Sequence, residues 1–391
     1  MKKIFHGVTG LPMTVASFIL VSLLMFVTAC QKQPVQEIQD VQADQSSKHP
    51  KFLKDIDQVN LVADVDGYKA ARVDPRLVNA WGLVFTPTGI AWPNAADPGL
   101  SFVLRQDGSQ VIPPVSIPSP DNPAGGGKPT GIVFNGTSDF VNPANGNPAR
   151  FIFAGEDGVI SVWNGTSPAV KAADRSPWEA VYKGLALATD GGANFLYATN
   201  FKGGKIDVFD KNFTYVTTKP FRDHHIPRGF APFNIQNIGG KLYVTYAKQK
   251  GPDNEDDQAG PGNGFVDVFN PDGSLVKRLI SRGQLNSPWG ITSAPATFFD
   301  DGEDEDRHGG DEEVGQNILL VGNFGDGRIN AFSTNGRFLG QLRGHGKPIK
   351  IDGLWALVFA PNATGSDPNK LFFTAGPADE THGLFGYLIK E

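Results

Sequence analysis

The sequence predicts an all-β fold: a six-bladed β-propeller of four-stranded antiparallel blades, its ring closed by an N-terminal strand. Three observations carry that prediction. The 391 residues include 47 Gly and 29 Pro, about a fifth of the chain against an average of about 12%. That density breaks helices, while a 40% hydrophobic content with 28 Phe builds a large core and excludes disorder. Short apolar runs are punctuated by pairs such as Asp107-Gly108, Asp157-Gly158, Asn164-Gly165, Asp272-Gly273 and Asp326-Gly327, the dipeptides of tight hairpin turns. Finally, one signature recurs six times, and repeats of about 50 residues mark propellers.

Taken in order, the signature is Trp81-Gly82-Leu83, Thr130-Gly131-Ile132, Lys183-Gly184-Leu185, Phe233-Asn234-Ile235, Trp289-Gly290-Ile291 and Trp355-Ala356-Leu357. Its second residues are spaced 49, 53, 50, 56 and 66 apart. Each copy leads into a strand–turn–strand unit, clearest at 195–210 and 318–333. After the sixth copy only three strands fit before Glu391. The unpaired run Val59–Val65 is therefore assigned as the missing outer strand, which removes the free sheet edges. The propeller spans 58–391.

The N-terminus reads as an export signal over 1–29. Lys2 and Lys3 precede an apolar stretch from Leu11 to Val27, followed by Val27-Thr28-Ala29-Cys30. These residues resemble the lipobox of bacterial lipoproteins, which implies acylation of Cys30 and a membrane partner through an N-terminal acyl anchor. A transmembrane helix needs about 20 apolar residues, and Pro12 shortens this run. Gln31 after the cysteine implies, by the same resemblance, an outer-membrane lipoprotein of the cell envelope. Residues 30–57, rich in Gln, Asp and Lys, read as a flexible tether. A single cysteine excludes a disulfide framework. An acidic balance, with formal charge −6, argues against a nucleic-acid partner, and the chain is expected to be monomeric.

The repeats resemble NHL-type propellers. They look most like an uncharacterised family of exported bacterial propellers found alongside PEP-CTERM sorting systems, on the strength of NAWGLVF (79–85), the block at 229–247, GFVDVFNPDGSLVKRLI (264–280), LNSPWGI (285–291) and DGLWALVF (352–359). The resemblance covers 58–391 and implies fold and export, but no chemistry.

Familiar catalytic motifs are missing. The run Gly125–Thr130 mimics a phosphate loop, yet Pro129 stands where Ser or Thr is needed and a strand follows instead of a helix. There is no G-x-S-x-G elbow and no H-E-x-x-H pair. The stretch 300–313 holds nine acids and one Arg, so Asp304, Asp306 and Asp311 are candidate calcium ligands. An EF-type register nevertheless places Gly315 where a bidentate Glu is required, and a solvated insertion is the competing reading. The insertion 251–264, with Asp253, Glu255, Asp256 and Asp257, has the same two readings.

Propeller geometry offers a ring at one channel mouth. Aligned strand ends and strand entries bring Asn79, Asn94, Glu156, Asn200, His225, Asn234, Asn323 and Asp352 to that face. Such a ring could hold Ca2+, Mg2+ or a polar ligand, as in the metal-dependent propeller lactonases and streptogramin lyases it resembles. The competing reading is turn backbone satisfied by Asn. Trp81, Trp289 and Trp355 are expected to pack between blades. Three functions stay open: a ligand- or protein-binding envelope module, a metal-dependent lactonase- or lyase-like enzyme, and a structural role with an envelope protein or exopolysaccharide partner.

Overall fold

In the computed structural model, residues 50–299 and 318–390 are described. Six of their sheets form a propeller, each with four antiparallel strands at its heart, and a two-stranded hairpin, Arg343–Gly344 with Lys347–Pro348, stands apart. Blade 1 contains Ala80–Phe85, Ala91–Ala95, Leu100–Leu104 and Gln110–Ser116. The inner strands of blades 2 to 6 are Pro129–Phe134, Tyr182–Asp190, Phe230–Ile238, Pro288–Ser293 and Leu354–Phe359. In every blade the first and third strands run away from one face, and the second and fourth return to it. That face is the channel mouth.

Blade 6 draws on both ends of the chain. Leu354–Phe359, Leu371–Ala375 and Leu384–Lys390 supply three strands, and Ile56–Ala63 adds the fourth, pairing from Ile56 with Lys390 to Ala63 with Leu384. The closure read from the repeat count is therefore the one observed. A short fifth strand, Arg72–Val73, pairs in parallel outside it.

The propeller begins earlier than the sequence suggests. The composition places the tether at 30–57, yet Lys51–Leu53 forms a 3-10 turn and Phe52, Leu53 and Ile56 are buried beside Phe298, Phe299 and Ile349. Three large apolar side chains, each worth about 2 kcal/mol when buried, outweigh the polar residues around them. The signal segment, the remainder of the tether and Cys30 lie outside the described residues.

All six inner strands break register at the same point: Ala80/Leu83, Pro129/Ile132, Tyr182/Gly184, Pro232/Asn234, Pro288/Ile291 and Leu354/Leu357. A bulge inserts an unpaired residue and re-aims its side chain. The residues in these bulges are Trp81, Thr130, Lys183, Phe233, Trp289 and Trp355, the first position of the repeat signature. Trp81 stacks on Trp355 with centroids 3.7 Å apart, Phe233 lies 5.8 Å from Trp355, and Trp289 Nε1 donates to the Lys183 carbonyl at 3.2 Å. Two of these contacts join blades that are not neighbours, so the cluster fills the axis. The tryptophans do not sit between blades, because the bulge turns them inward.

The glycine that follows has a steric reason. A Cβ on Gly82 would meet the Thr130 carbonyl oxygen at 2.0 Å, and one on Gly184 would meet Asn234 Oδ1 at 2.3 Å. Inner strands of successive blades approach closely there, backbone to backbone at Gly82 and backbone to the Asn234 side chain at Gly184. The bulge also strips carbonyls of ladder partners, and neighbouring blades restore them. Asn94 Nδ2 donates to the Thr130 carbonyl at 3.0 Å, Thr199 Oγ1 to that of Phe233 at 3.2 Å, and Asn234 Nδ2 to that of Trp289 at 2.8 Å. Thr374 Oγ1 caps the Trp81 carbonyl. Below the bulges, Gly82, Gly131, Asn234, Gly290 and Ala356 line a cavity of about 20 Å³, room for about one water.

Candidate binding site at the channel mouth

A second ring lies above the bulges, where each second strand enters its loop. Ala96, Glu156, Phe201, Gln249, Phe324 and Gly376 share one hydrogen bond. Each donates its N–H to a carbonyl just ahead of its own blade's inner strand, on Asn79, Lys128, Val181, Gly229, Ser287 and Gly353 respectively. Phe324 stacks on Trp355 at 3.9 Å and Phe201 packs on Phe233 at 5.0 Å. Small residues at 96 and 376 leave the space over the tryptophan pair to Asn79 and Glu380. A Cβ on Gly376 would lie 2.6 Å from Asn79 Oδ1.

At the centre is Lys183, only 3% exposed at its side chain. Its ammonium donates to Glu156 Oε1, stands 3.7 Å from Asp256 Oδ1 and lies 5.1 Å from the Trp81 ring centroid. Burial alone would lower its pKa, yet Glu156, then Asp256 and Glu380, hold it above the ordinary value, so the lysine is charged. Glu380 Oε2 accepts from Asn79 Nδ2 at 2.7 Å, while Trp355 Nε1 donates to Asn79 Oδ1 at 3.0 Å. Burial, with Glu156 and Asp256 adding repulsion against the pull of Lys183, pushes Glu380 up to about 7. Burial likewise raises Asp257, against the Ser287 hydroxyl and the Lys183 charge. Four carboxyl groups thus surround one ammonium.

The backbone here is strained. Ala378, Asp379 and Glu380 have φ of 54°, 53° and 67°, and Asn79 and Ser287 have φ of 49° and 47°. Each such residue costs about 1–3 kcal/mol, and these conformations cluster at functional sites. Asp352 Oδ2 accepts from the Ala378 N–H at 2.9 Å and so braces the loop that carries Glu380.

Of the residues predicted from sequence, Asn79 and Glu156 enter this site and Asp352 supports it from outside. The others do not converge. Asn94 and Asn234 cap carbonyls of the next blade. Asn200 accepts from the N–H groups of Val181 at 3.3 Å and Gly203 at 3.0 Å and donates to Asp207 at 3.1 Å. Asn323 accepts from the Asn286 N–H at 3.1 Å and donates to the Gln284 carbonyl at 2.8 Å. His225 is exposed on the loop entering blade 4. Asp304, Asp306 and Asp311 lie outside the described residues. Sequence reasoning missed Glu380, and it named Lys183 only as the first residue of one signature copy, without a role. Lys183 did carry a signal: it is the one charged residue at the first position of the six signatures.

These donors do not fit a divalent cation. Among the described residues no cluster of three or more His, Cys, Asp or Glu is placed to hold one. Asn94, Asn200, Asn234 and Asn323 are tied to backbone groups, Asn79 is held between Glu380 and Trp355, and the Lys183 ammonium lies among the carboxylates.

No family model matches the chain. Two proteins of Acanthamoeba polyphaga mimivirus do resemble it over most of its length. Uncharacterised protein L690 is 35% identical over 351 residues, 85% of this chain and 86% of the relative. Uncharacterised protein R648 is 35% identical over 352 residues, 85% of this chain and 80% of the relative. The chain belongs to the family of these viral proteins. Among solved structures, a Bacteroides thetaiotaomicron protein of unknown function aligns at a TM-score of 0.52 with 10% identity, covering 85% of this chain and 75% of its own. The GH93 α-L-arabinofuranosidase of Fusarium graminearum in complex with arabinobiose aligns at 0.51 with 11% identity, covering 85% and 97%. At these identities the likeness shows a shared fold.

Proposed function

We propose that the chain is a ligand-binding propeller that takes a small hydroxyl- or ammonium-bearing molecule at the channel mouth. The observation that carries this is the surplus of acceptors around Lys183. Glu156, Asp256, Asp257 and Glu380 are four carboxyl groups for one ammonium, and Asp256 is largely exposed, at 68% of its side chain. Ionised carboxylates only accept hydrogen bonds, whereas a carboxyl near neutrality can also donate. The rim therefore suits a ligand with several donors, and Lys183 keeps the inner carboxylates fixed before it arrives. Thermal unfolding of the full chain with arabinose, mannitol, spermidine, CaCl2 and MgCl2 tests this. Stabilisation by a polyol or the amine, lost in Asp256→Asn, is expected. Stabilisation by the divalent salts alone would overturn it in favour of a metal site.

A second reading is favoured by Glu380 itself. A carboxyl held at about 7 beside the Glu156–Lys183 ion pair is placed to give and take a proton. Under that reading the ligand is also a substrate, and Glu380 is the acid. The export reading stands alongside both, supported by the residues of the leader and by the likeness to exported bacterial propellers. It proposes a lipid-anchored envelope protein with acylated Cys30. Cys30→Ser should release the protein from the membrane fraction, and unchanged fractionation would overturn that proposal.

A further inference from the structure

We propose that the cleft between blades 3 and 4 is a second ligand site, for a small oxyanion that carries a flat apolar body. The cleft has a volume of about 290 Å³, at the lower edge of small-molecule pockets, which start near 300 Å³. Phe221, Phe230 and Tyr246 supply an apolar wall, and Arg222, His224 and Arg228 stand at its edge. Asp223 is the only acid in the lining, and it is turned away. Its carboxylate is 2% exposed, paired with the Arg278 guanidinium, and it accepts from the His225 N–H at 2.8 Å. Arg222 and Arg228 therefore have no carboxylate partner among the described residues. In a chain of formal charge −6, two unneutralised guanidiniums at one concavity make a local field that selects anions.

The loop that presents them is pinned at both ends. Phe221 is buried with φ of 40°, a conformation that bulky residues rarely adopt. It packs on Tyr197 and Phe269, each at 5.4 Å. Phe230 lies edge-on to Phe265 at 4.9 Å under the Arg282 guanidinium at 5.6 Å. Guanidinium forks match carboxylate and phosphate oxygens two at a time, and the aromatic wall suits a flat body. This site shares no lining residue with the channel mouth and does not depend on what binds there.

Titration calorimetry of the full chain at low salt with phenyl phosphate, inorganic phosphate and phenol tests the assignment. Phenyl phosphate is expected to bind at least tenfold more tightly than either fragment. Arg222→Ala and Arg228→Ala should each weaken it about tenfold with the melting temperature unchanged, and Asp256→Asn at the mouth should leave it unaltered. No binding of phenyl phosphate, or equal binding in the Arg222→Ala/Arg228→Ala double variant with a native melting temperature, would overturn the site. So would phenol binding as tightly as phenyl phosphate, which would reduce the cleft to an apolar contact.

Discussion

The Lys183 ammonium of blade 3 and the Glu156 carboxylate of blade 2 form an ion pair at the channel mouth in which the two partners differ in exposure, 3% against 21%. That asymmetry sets the cost of breaking it. In Glu156→Gln the buried lysine loses its hydrogen-bonded carboxylate and keeps Asp256 at 3.7 Å as its one remaining ion-pair partner, with Glu380 and Asp257 farther off, and breaking a buried pair from one side costs about 3 kcal/mol or more. In Lys183→Met the glutamate can turn to water and the methionine fills the apolar space beside Trp81. Urea unfolding should find Glu156→Gln clearly less stable than Lys183→Met.

Stability should fall as pH rises from about 4.5 to 7. Glu380 is held at about 7 against an ordinary 4.5, Asp267 at about 7 by burial and by Asp223, and Asp157 at about 6 by burial. Across this window the folded chain binds more protons than the unfolded one, and stability then decreases with pH. Below the ordinary carboxyl values the contribution is fully present. Melting temperatures at pH 5 and 7.5 check the slope, and Glu380→Gln should flatten part of it.

Asn94→Ala and Asn234→Ala should each destabilise by about 1–3 kcal/mol, because a buried carbonyl of the next blade is left unpaired. Neither should change ligand or cation binding at the mouth. A loss of binding in the stable fraction of either variant would return them to the site.

Gly184→Ala should cost about 3 kcal/mol or more, since its Cβ would press on Asn234 Oδ1 at 2.3 Å and Asn234 Cα at 2.8 Å, in a packed interior that resists added atoms. Denaturant midpoints measure it.

A chain that begins after Ala63 should aggregate. Removing Ile56–Ala63 uncovers the edge of Leu384–Lys390, and an open edge invites pairing between molecules. Light scattering during refolding would register this.

The blade count and the closing strand were legible because they follow from turn chemistry and periodicity, which are local. The repeat signature was legible as a pattern but not as a geometry. Nothing in the residues themselves says that a bulge turns Trp81, Trp289 and Trp355 onto the axis, since period-2 alternation would leave them between blades. The ring of asparagines failed for a related reason. An alignment by strand ends stops one residue short at Asn200 and Asn323, where the next residues, Phe201 and Phe324, face the channel. Only Glu156 falls on the ring itself. Glu380 could not be found because its position depends on a left-handed loop, and three consecutive non-glycine residues in that conformation have no sequence signal.

The pairing of Ile56 with Lys390 also gives the molecule a direction. The closing strand starts at the face opposite the mouth and ends at the mouth, and the C-terminal strand beside it runs the other way. Ile56 and Lys390 therefore both lie on the far side. A bulky group attached beside Ile56 or Lys390 would therefore stand on the face opposite Lys183 and its carboxylates and leave the mouth open.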